Sequence, residues 1–394
     1  MPLTSTESSN QPIIVPPSVN NAVLNKPARS APVNGSATAS TTTLLVGLDW
    51  GTNMSCLMTS PAGSADVAVK EQIPTVVGYA SEAVLDQVLP GNSKVLFGRD
   101  AIKYRQNLTL VRPLQGGVIH DLPSATQFAQ HLGSRLKGTA TDVRAVIGMP
   151  ASSDVAAREN ARAAVKGIFS KVIFVPEPFL AALGFRDETR LSDSTYQDPV
   201  LNSLYIDIGA GSTDVCLVQG HYPTGDDQLS APFAGDAVDA IILEQILAAY
   251  PDCGMTLSRV REIKEKHSFV LGEDGSKSAI ATVMVGGKAR KLDVTQQVGA
   301  GCEALLDKVF VMTRDLIARA NPETVAELLQ NVIVTGGGSL IKGFGVALQT
   351  KLLEEGFENP RVRVLGENYK DYVAFGALKA ARQAKDRQWQ TLIG

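Results

Sequence analysis

Two stretches decide the fold. Leu45-Val46-Gly47-Leu48-Asp49-Trp50-Gly51-Thr52 leads into the strand-like Ser55–Thr59. Leu204-Tyr205-Ile206-Asp207-Ile208-Gly209-Ala210-Gly211-Ser212-Thr213 leads into the strand-like Asp214–Val218. Both read as an apolar β-rich run, an Asp-x-Gly turn with a hydroxyl residue, and a second strand. Both second strands carry a Cys-Leu pair, Cys56-Leu57 and Cys216-Leu217. The copies lie 158 residues apart, counted from Asp49 to Asp207. That spacing is the length of a domain, so the chain reads as one domain duplicated. Each copy opens with a hairpin whose turn is glycine-rich.

Glycine lets such a turn bring backbone N–H groups against a ligand, because no Cβ intervenes. Successive N–H groups then form an anion-binding nest. Gly51-Thr52-Asn53 and Gly209-Ala210-Gly211-Ser212-Thr213 add hydroxyl and amide donors. One such turn alone reads as a structural hairpin; a pair at domain spacing points to phosphate. A carboxylate beside phosphate repels it unless a cation lies between. Asp49 and Asp207 therefore imply Mg²⁺, held largely through its waters because Mg²⁺ dehydrates reluctantly. A third cluster runs the apolar Val332-Ile333-Val334-Thr335 into Gly336-Gly337-Gly338-Ser339. Bare backbone there can carry a flat group such as a nucleoside; a flexible turn is the other reading. No G-x-x-x-x-G-K-[ST] motif occurs, which excludes a P-loop.

The surrounding pattern is α/β. Short β-rich runs (Leu44–Leu48, Val143–Ile147, Val172–Val175, Leu204–Ile208, Asn331–Thr335) alternate with helical stretches (Asp154–Phe169, Asp236–Tyr250, Gly301–Ala320, Pro322–Gln330, Tyr369–Ala384). That alternation predicts sheets flanked by helices. The 394 residues are 44% hydrophobic and 20% charged, a globular composition. A net charge of -3 supplies no basic field for nucleic acid or an anionic membrane. No apolar run reaches the roughly 18 residues of a membrane span, and no secretory leader is read at the start. A cytoplasmic location is expected. Cys56, Cys216, Cys253 and Cys302 form no C-x-x-C pair and read as buried thiols in a reducing compartment. The histidines show no metal-ligand spacing.

Residues 1–43 differ in kind, with 13 Ser/Thr, 6 Pro, 5 Asn, no aromatic residue and only Glu7, Lys26 and Arg29 charged. So little apolar surface predicts a disordered tail. Its Pro12–Pro17 patch reads as a linear docking motif or as part of a featureless tail.

Together the motifs resemble the superfamily of actin, heat-shock chaperone ATPases and sugar kinases, over nearly all of residues 44–394. Gly47-x-Asp49-x-Gly51-Thr52 is similar to its first phosphate motif and Asp207-x-Gly209-x-Gly211-Ser212-Thr213-Asp214 to its second. Thr335–Ser339 is similar to its adenosine motif, and Glu177-Pro178-Phe179-Leu180-Ala181-Ala182-Leu183-Gly184 to its first connecting helix. Within the superfamily, Arg112-Pro113-Leu114-Gln115-Gly116-Gly117-Val118-Ile119 and Val175-Pro176-Glu177-Pro178-Phe179 resemble the filament-forming bacterial actins. Gly220–Gln228 and Lys264–Val270 look most like the magnetosome-organising branch.

The resemblance implies a duplicated actin-like ATPase fold: two halves of α/β sheets flanked by helices around a nucleotide cleft, each with a smaller inserted subdomain. The first half falls at 44–203 with an insertion at about 73–111. The second falls at 204–394 with an insertion at about 237–299, its last helix, about 366–394, returning to the first half. Also implied are ATP and Mg²⁺ as cofactors and slow, assembly-coupled ATP hydrolysis. The expected partner is the chain itself, in a homopolymeric cytoskeletal filament. An adaptor linking the filament to organelle or membrane cargo is a further expectation; direct nucleic-acid binding is not.

By the same resemblance, Glu177 orients the attacking water, with Asp207 as its catalytic partner, and Asp49 and Asp207 face the metal. The nucleotide then contacts Gly51, Thr52 and Asn53, Gly209 to Thr213, and Gly336, Gly337, Gly338 and Ser339. From the residues alone, Glu177 before Pro178 is also a carboxylate at a helix N-terminus, worth tenths to about 1 kcal/mol. Lys264 is the implied nucleoside contact. Related chains often place Glu three residues before that lysine; Arg261 stands there instead, which leaves the base preference open. Trp50, inside the first turn, reads as a residue packed on the sheet.

Other functions make demands of their own on the sequence. A chaperone ATPase needs a substrate-binding domain after the core, and none is expected beyond the last helix. A sugar or acetate kinase needs a base aimed at an acceptor hydroxyl, and no such motif occurs. A shape-determining or plasmid-segregating bacterial actin and a non-polymerising actin-like scaffold ATPase stay open as alternatives.

Overall fold

The computed structural model describes residues 42–136, 140–151, 153–270, 278–285, 288–366 and 368–392. The tail expected over 1–43 lies outside them up to residue 41, and Thr43 already belongs to the first strand.

Thr43–Trp50 is buried along almost its whole length, as a strand covered on both faces must be. It pairs antiparallel with Met54–Pro61, which pairs with Val69–Pro74. On its other side it runs parallel to Asp142–Met149, then Lys171–Pro176, with Gln390–Thr391 closing that edge. The second sheet repeats the order. Ser203–Ile208 pairs antiparallel with Thr213–Val218, which pairs with Gln228–Ala231. Its other neighbours are the parallel Val332–Thr335 and Val362–Val364. The internal echo in the sequence is thus a repeated sheet with one hairpin register, Asp49 facing Cys56 and Asp207 facing Asp214; Cys216 faces Tyr205, so the two Cys-Leu pairs do not occupy equivalent positions.

Two helices, Glu177–Phe185 and Tyr369–Gln383, lie between the sheets. One apolar cluster there joins Leu45, Met58 and Val146 of the first sheet to Tyr205, Val218 and Ile333 of the second through Leu180, Ala181, Ala374 and Leu378. Glycines permit backbone contact in this layer: a Cβ on Gly47 would lie 2.1 Å from the Ala374 carbonyl oxygen. The outer face of the first sheet is covered by Leu122–Gly133 and Val155–Val165, capped by Asp121 and Asp154 through the Ser124 and Ala157 N–H groups. Gly235–Ala249, Thr295–Ile317 and Phe344–Glu354 cover the second. Trp50 is 3% exposed in the core of the first half.

Each half carries an added piece. In the first, Val77–Ala80, Val95–Phe97 and Leu108–Val111 form a three-stranded sheet with the short helix Gly98–Lys103 and a small core of their own around Val76, Leu89, Leu96 and Ala101. In the second, the helix Leu257–His267 and the hairpin Ile280–Val285/Lys288–Asp293 share the main core of that half through Val260, Ala281 and Val283. All four cysteines are free and buried. No helix among the described residues is long and apolar enough to cross a membrane.

Candidate functional site

The two hairpin turns and the triple glycine line one cleft of about 440 Å³ between the halves. Asp49, Gly51, Thr52 and Asn53 come from the first half; Asp207, Gly209, Ala210, Gly211 and Ser212 come from the second. Gly336, Gly337 and Gly338 form another wall, and Glu177 and Lys264 also reach the surface of the cleft. Two expected residues do not line it. Thr213 begins a strand, where side chains alternate, and its buried hydroxyl donates to the Phe233 carbonyl at 2.7 Å. Ser339 is 3% exposed inside the turn Gly337–Leu340 and sits behind the glycines.

Three turns converge on Thr52. Its Oγ accepts from the Gly117 N–H at 2.9 Å, and a Cβ on Gly211 would come within 2.6 Å of the same oxygen. Gly117 has φ +77°, where a side chain is strained. The second turn closes with Gly209 N–H to the Ser212 carbonyl at 2.9 Å. It is tied to the start of the helix Gly235–Ala249 by Asp236 N–H to the Ala210 carbonyl at 2.7 Å. Gly336, at φ +80°, approaches so closely that a Cβ would lie 2.4 Å from Asp207 Oδ1. Only glycine lets the end of strand Val332–Thr335 close on that carboxylate.

Four acidic groups share this region. Burial pushes Asp49 up to about 7. Burial, then the charges of Asp49 and Asp214, push Asp207 up to about 8. Glu177 is raised well above the usual carboxylate range by burial and then by Asp49, Asp214 and Asp207. Asp214, 1% exposed, is raised by burial, against which the Ser230, Ala151 and Ser212 hydrogen bonds act. Ser212 Oγ donates to Asp214 Oδ2 at 2.9 Å and the Ala151 N–H donates to Oδ1 at 3.0 Å, so this carboxylate joins the second turn to the first half. Glu177 opens its helix, and the missing Cβ of Gly148 leaves it room: one added there would lie 3.0 Å from Glu177 Cγ.

Such mutual repulsion is relieved by a cation. Among the described residues no three His, Cys, Asp or Glu side chains converge to grip a metal directly. Single carboxylates facing one cleft fit Mg²⁺ that retains most of its water.

The nucleoside wall differs from expectation in detail. Lys264 lines the cleft, but its ammonium donates to the Gly235 carbonyl at 2.6 Å and pairs with Asp239 at 2.8 Å. Arg261 bonds Asp236 at 2.6 Å and the fully buried Asp239 at 2.9 Å. The arginine thus answers two acids on the neighbouring helix Gly235–Ala249. Sequence reading missed Gly117, Asp214, Glu265 and Tyr369 here. Gly116-Gly117 was a visible signal; the others depend on which elements the fold brings together.

A duplicated α/β unit with its two glycine hairpins opposed across a cleft is the architecture of the actin-like nucleotide-binding proteins. The chain belongs to the MreB/Mbl protein family, whose model matches residues 45–386. It is 30% identical over 354 residues to the actin-like protein MamK of Magnetospirillum gryphiswaldense, covering 88% of this chain and 91% of that one. It is 29% identical over 357 residues to MamK of Paramagnetospirillum magneticum, covering 89% and 95%. Among solved structures, a MamK double helical filament matches with TM-score 0.77 and 28% identity, over 87% of this chain and 100% of that one. A non-polymerising MamK mutant bound to AMPPNP matches with TM-score 0.62 and 27% identity, over 87% and 99%.

Proposed function

We propose that this chain is an actin-like ATPase that polymerises into nucleotide-dependent cytoskeletal filaments and organises or positions an intracellular structure such as magnetosomes. The observation that carries the reading is the opposition of Asp49 and Asp207, each beside a glycine turn, in one cleft. Likeness to a MamK filament over 87% of the chain supports the polymer.

In this reading the phosphates of ATP lie between the two turns, against backbone N–H groups and the Thr52 and Ser212 hydroxyls. The nucleoside rests on Gly336–Gly338 with Lys264 beside it; Thr213 and Ser339 support their turns from behind. Asp49 and Asp207 would hold Mg²⁺ through its waters, and the ion when bound supplies neutralisation of phosphate charge. Glu177 orients the attacking water and receives its proton. Neither turn contains Lys or Arg, so hydrolysis is slow and tied to assembly. The partners are further copies of the chain and an adaptor to cargo, in the cytoplasm.

Sedimentation with ATP·Mg²⁺, ADP·Mg²⁺ and no nucleotide, followed by electron microscopy, tests this. Filaments that pellet only with nucleotide are expected. A chain that binds ATP and stays monomeric at all concentrations would point instead to the scaffold ATPase.

A further inference from the structure

Arg112 follows the strand Leu108–Val111, where the first insertion returns to the body, and precedes Pro113. Its Nη1 donates to Asn53 Oδ1 at 3.0 Å. Asn53 belongs to the first turn and lines the cleft; Arg112 reaches it from the rim. The chemistry of this pair is directional. Guanidinium is donor-only, and an amide offers an acceptor at one end and two donors at the other. An amide whose oxygen is committed to arginine keeps its NH₂ for another acceptor. With the amide reversed, Asn53 would direct an oxygen at any phosphate in the turn.

The charges facing the guanidinium are mixed. Burial, and then the charge of Arg261, lower the pKa of Arg112, against the opposing effect of Asp236, Asp239 and Glu265 on the facing half. Arg261 pairs with Asp236 and Asp239, and Lys264 pairs with Asp239. Those carboxylates are thus largely answered on their own wall, and the bond to Asn53 is the contact that holds the Arg112 guanidinium.

We infer that Arg112 is a positioning residue: its hydrogen bond to Asn53 Oδ1 fixes the amide with its NH₂ toward the bound phosphate. This rests on the cleft being a nucleotide site.

Binding of Mg²⁺·AMPPNP and of adenosine to the full chain tests it, by competition with a fluorescent nucleotide below the assembly concentration. Arg112→Ala is expected to raise the AMPPNP Kd about fivefold or more, the range between an exposed ion pair and a charge-assisted hydrogen bond. Adenosine, which has no phosphate, should bind as in wild type. Arg112→Lys, also donor-only, should retain most of the AMPPNP affinity. In an Asn53→Ala background, Arg112→Ala should add little, because the two act as one unit. An unchanged AMPPNP Kd in Arg112→Ala, equal loss of adenosine, or additive effects of the two substitutions would each overturn the inference. A wild-type chain that binds no fluorescent nucleotide would overturn the reading of the cleft itself, and this inference with it.

Discussion

Gly184 and Gly376 face each other where the two helices between the sheets cross. A Cβ on Gly184 would lie 1.9 Å from the Tyr372 carbonyl oxygen, and one on Gly376 would lie 1.8 Å from the Leu180 carbonyl oxygen. The two helices therefore touch backbone to backbone, and each sheet is held at the distance that contact sets.

Gly184→Ala and Gly376→Ala follow from this geometry. The obstructing atoms are main chain and cannot swing aside, so each substitution should cost about 3 kcal/mol or more, at the upper end of overpacking effects. Urea denaturation of the nucleotide-free protein is the measurement. A loss below about 1 kcal/mol for either variant would mean that the helices can separate freely.

Asp207→Asn should split stability from ligand response. Removing a carboxyl raised by burial and by Asp49 and Asp214 relieves repulsion, so the nucleotide-free melting temperature should rise by on the order of 2 °C or more. Stabilisation by ATP·Mg²⁺, about 2.7 kcal/mol for wild type at a hundredfold excess over Kd, should largely vanish. A variant that melts lower without nucleotide yet keeps its response to ATP·Mg²⁺ would contradict both halves of the argument.

Glu177→Ala should bind ATP and assemble while phosphate release falls by ~10²-fold, the loss expected for a positioned base. Filaments should then persist after a single pulse of ATP. Normal phosphate release would reduce Glu177 to a helix-terminal charge.

His131 gives a pH dependence away from the cleft. Its ring stacks on Phe97 with centroids 4.6 Å apart, linking the helix Leu122–Gly133 to the first insertion. Burial, then the Arg135 charge, lower its pKa from 6.5. The unfolded chain thus binds more protons than the folded one just below pH 6.5, so stability is present above that value and declines as pH falls through it. His131→Phe should keep the stack and flatten the wild-type decline between about pH 6.5 and 5. Identical slopes for the two proteins would assign the decline elsewhere.

The parts of this molecule legible in the sequence are those whose signals are local. Thr43–Trp50 and Ser203–Ile208 announce themselves as apolar runs ending in Asp-x-Gly, and the shared Cys-Leu pair marks the strand that follows each. The third strands, Val69–Pro74 and Gln228–Ala231, are half polar and carry no such mark. Gly51, Asp207 and Gly336 were readable as site residues because turn chemistry restricts what can stand there. The contact of Arg112 and the true partners of Arg261 were not, because each joins separate elements; Asp214 stood in the second motif, but its bond to Ala151 of the first half was not legible. Thr213 and Ser339 lie next to cleft residues in sequence but behind them in space, a distinction that strand alternation and a tight turn make only once the backbone is fixed.

The helix Tyr369–Gln383 carries Tyr369 on the cleft wall and Ala374 and Leu378 in the layer between the sheets. It also leaves the ribosome after the strands it covers, all of which precede it in the chain. Chains emerge and fold from the N-terminus, so the inner face of the first sheet waits, apolar and incompletely covered, for a segment made well after its main strands. Docking of that one helix completes the middle layer and the cleft in the same event. A nascent chain that has not yet released this helix therefore has no finished cleft.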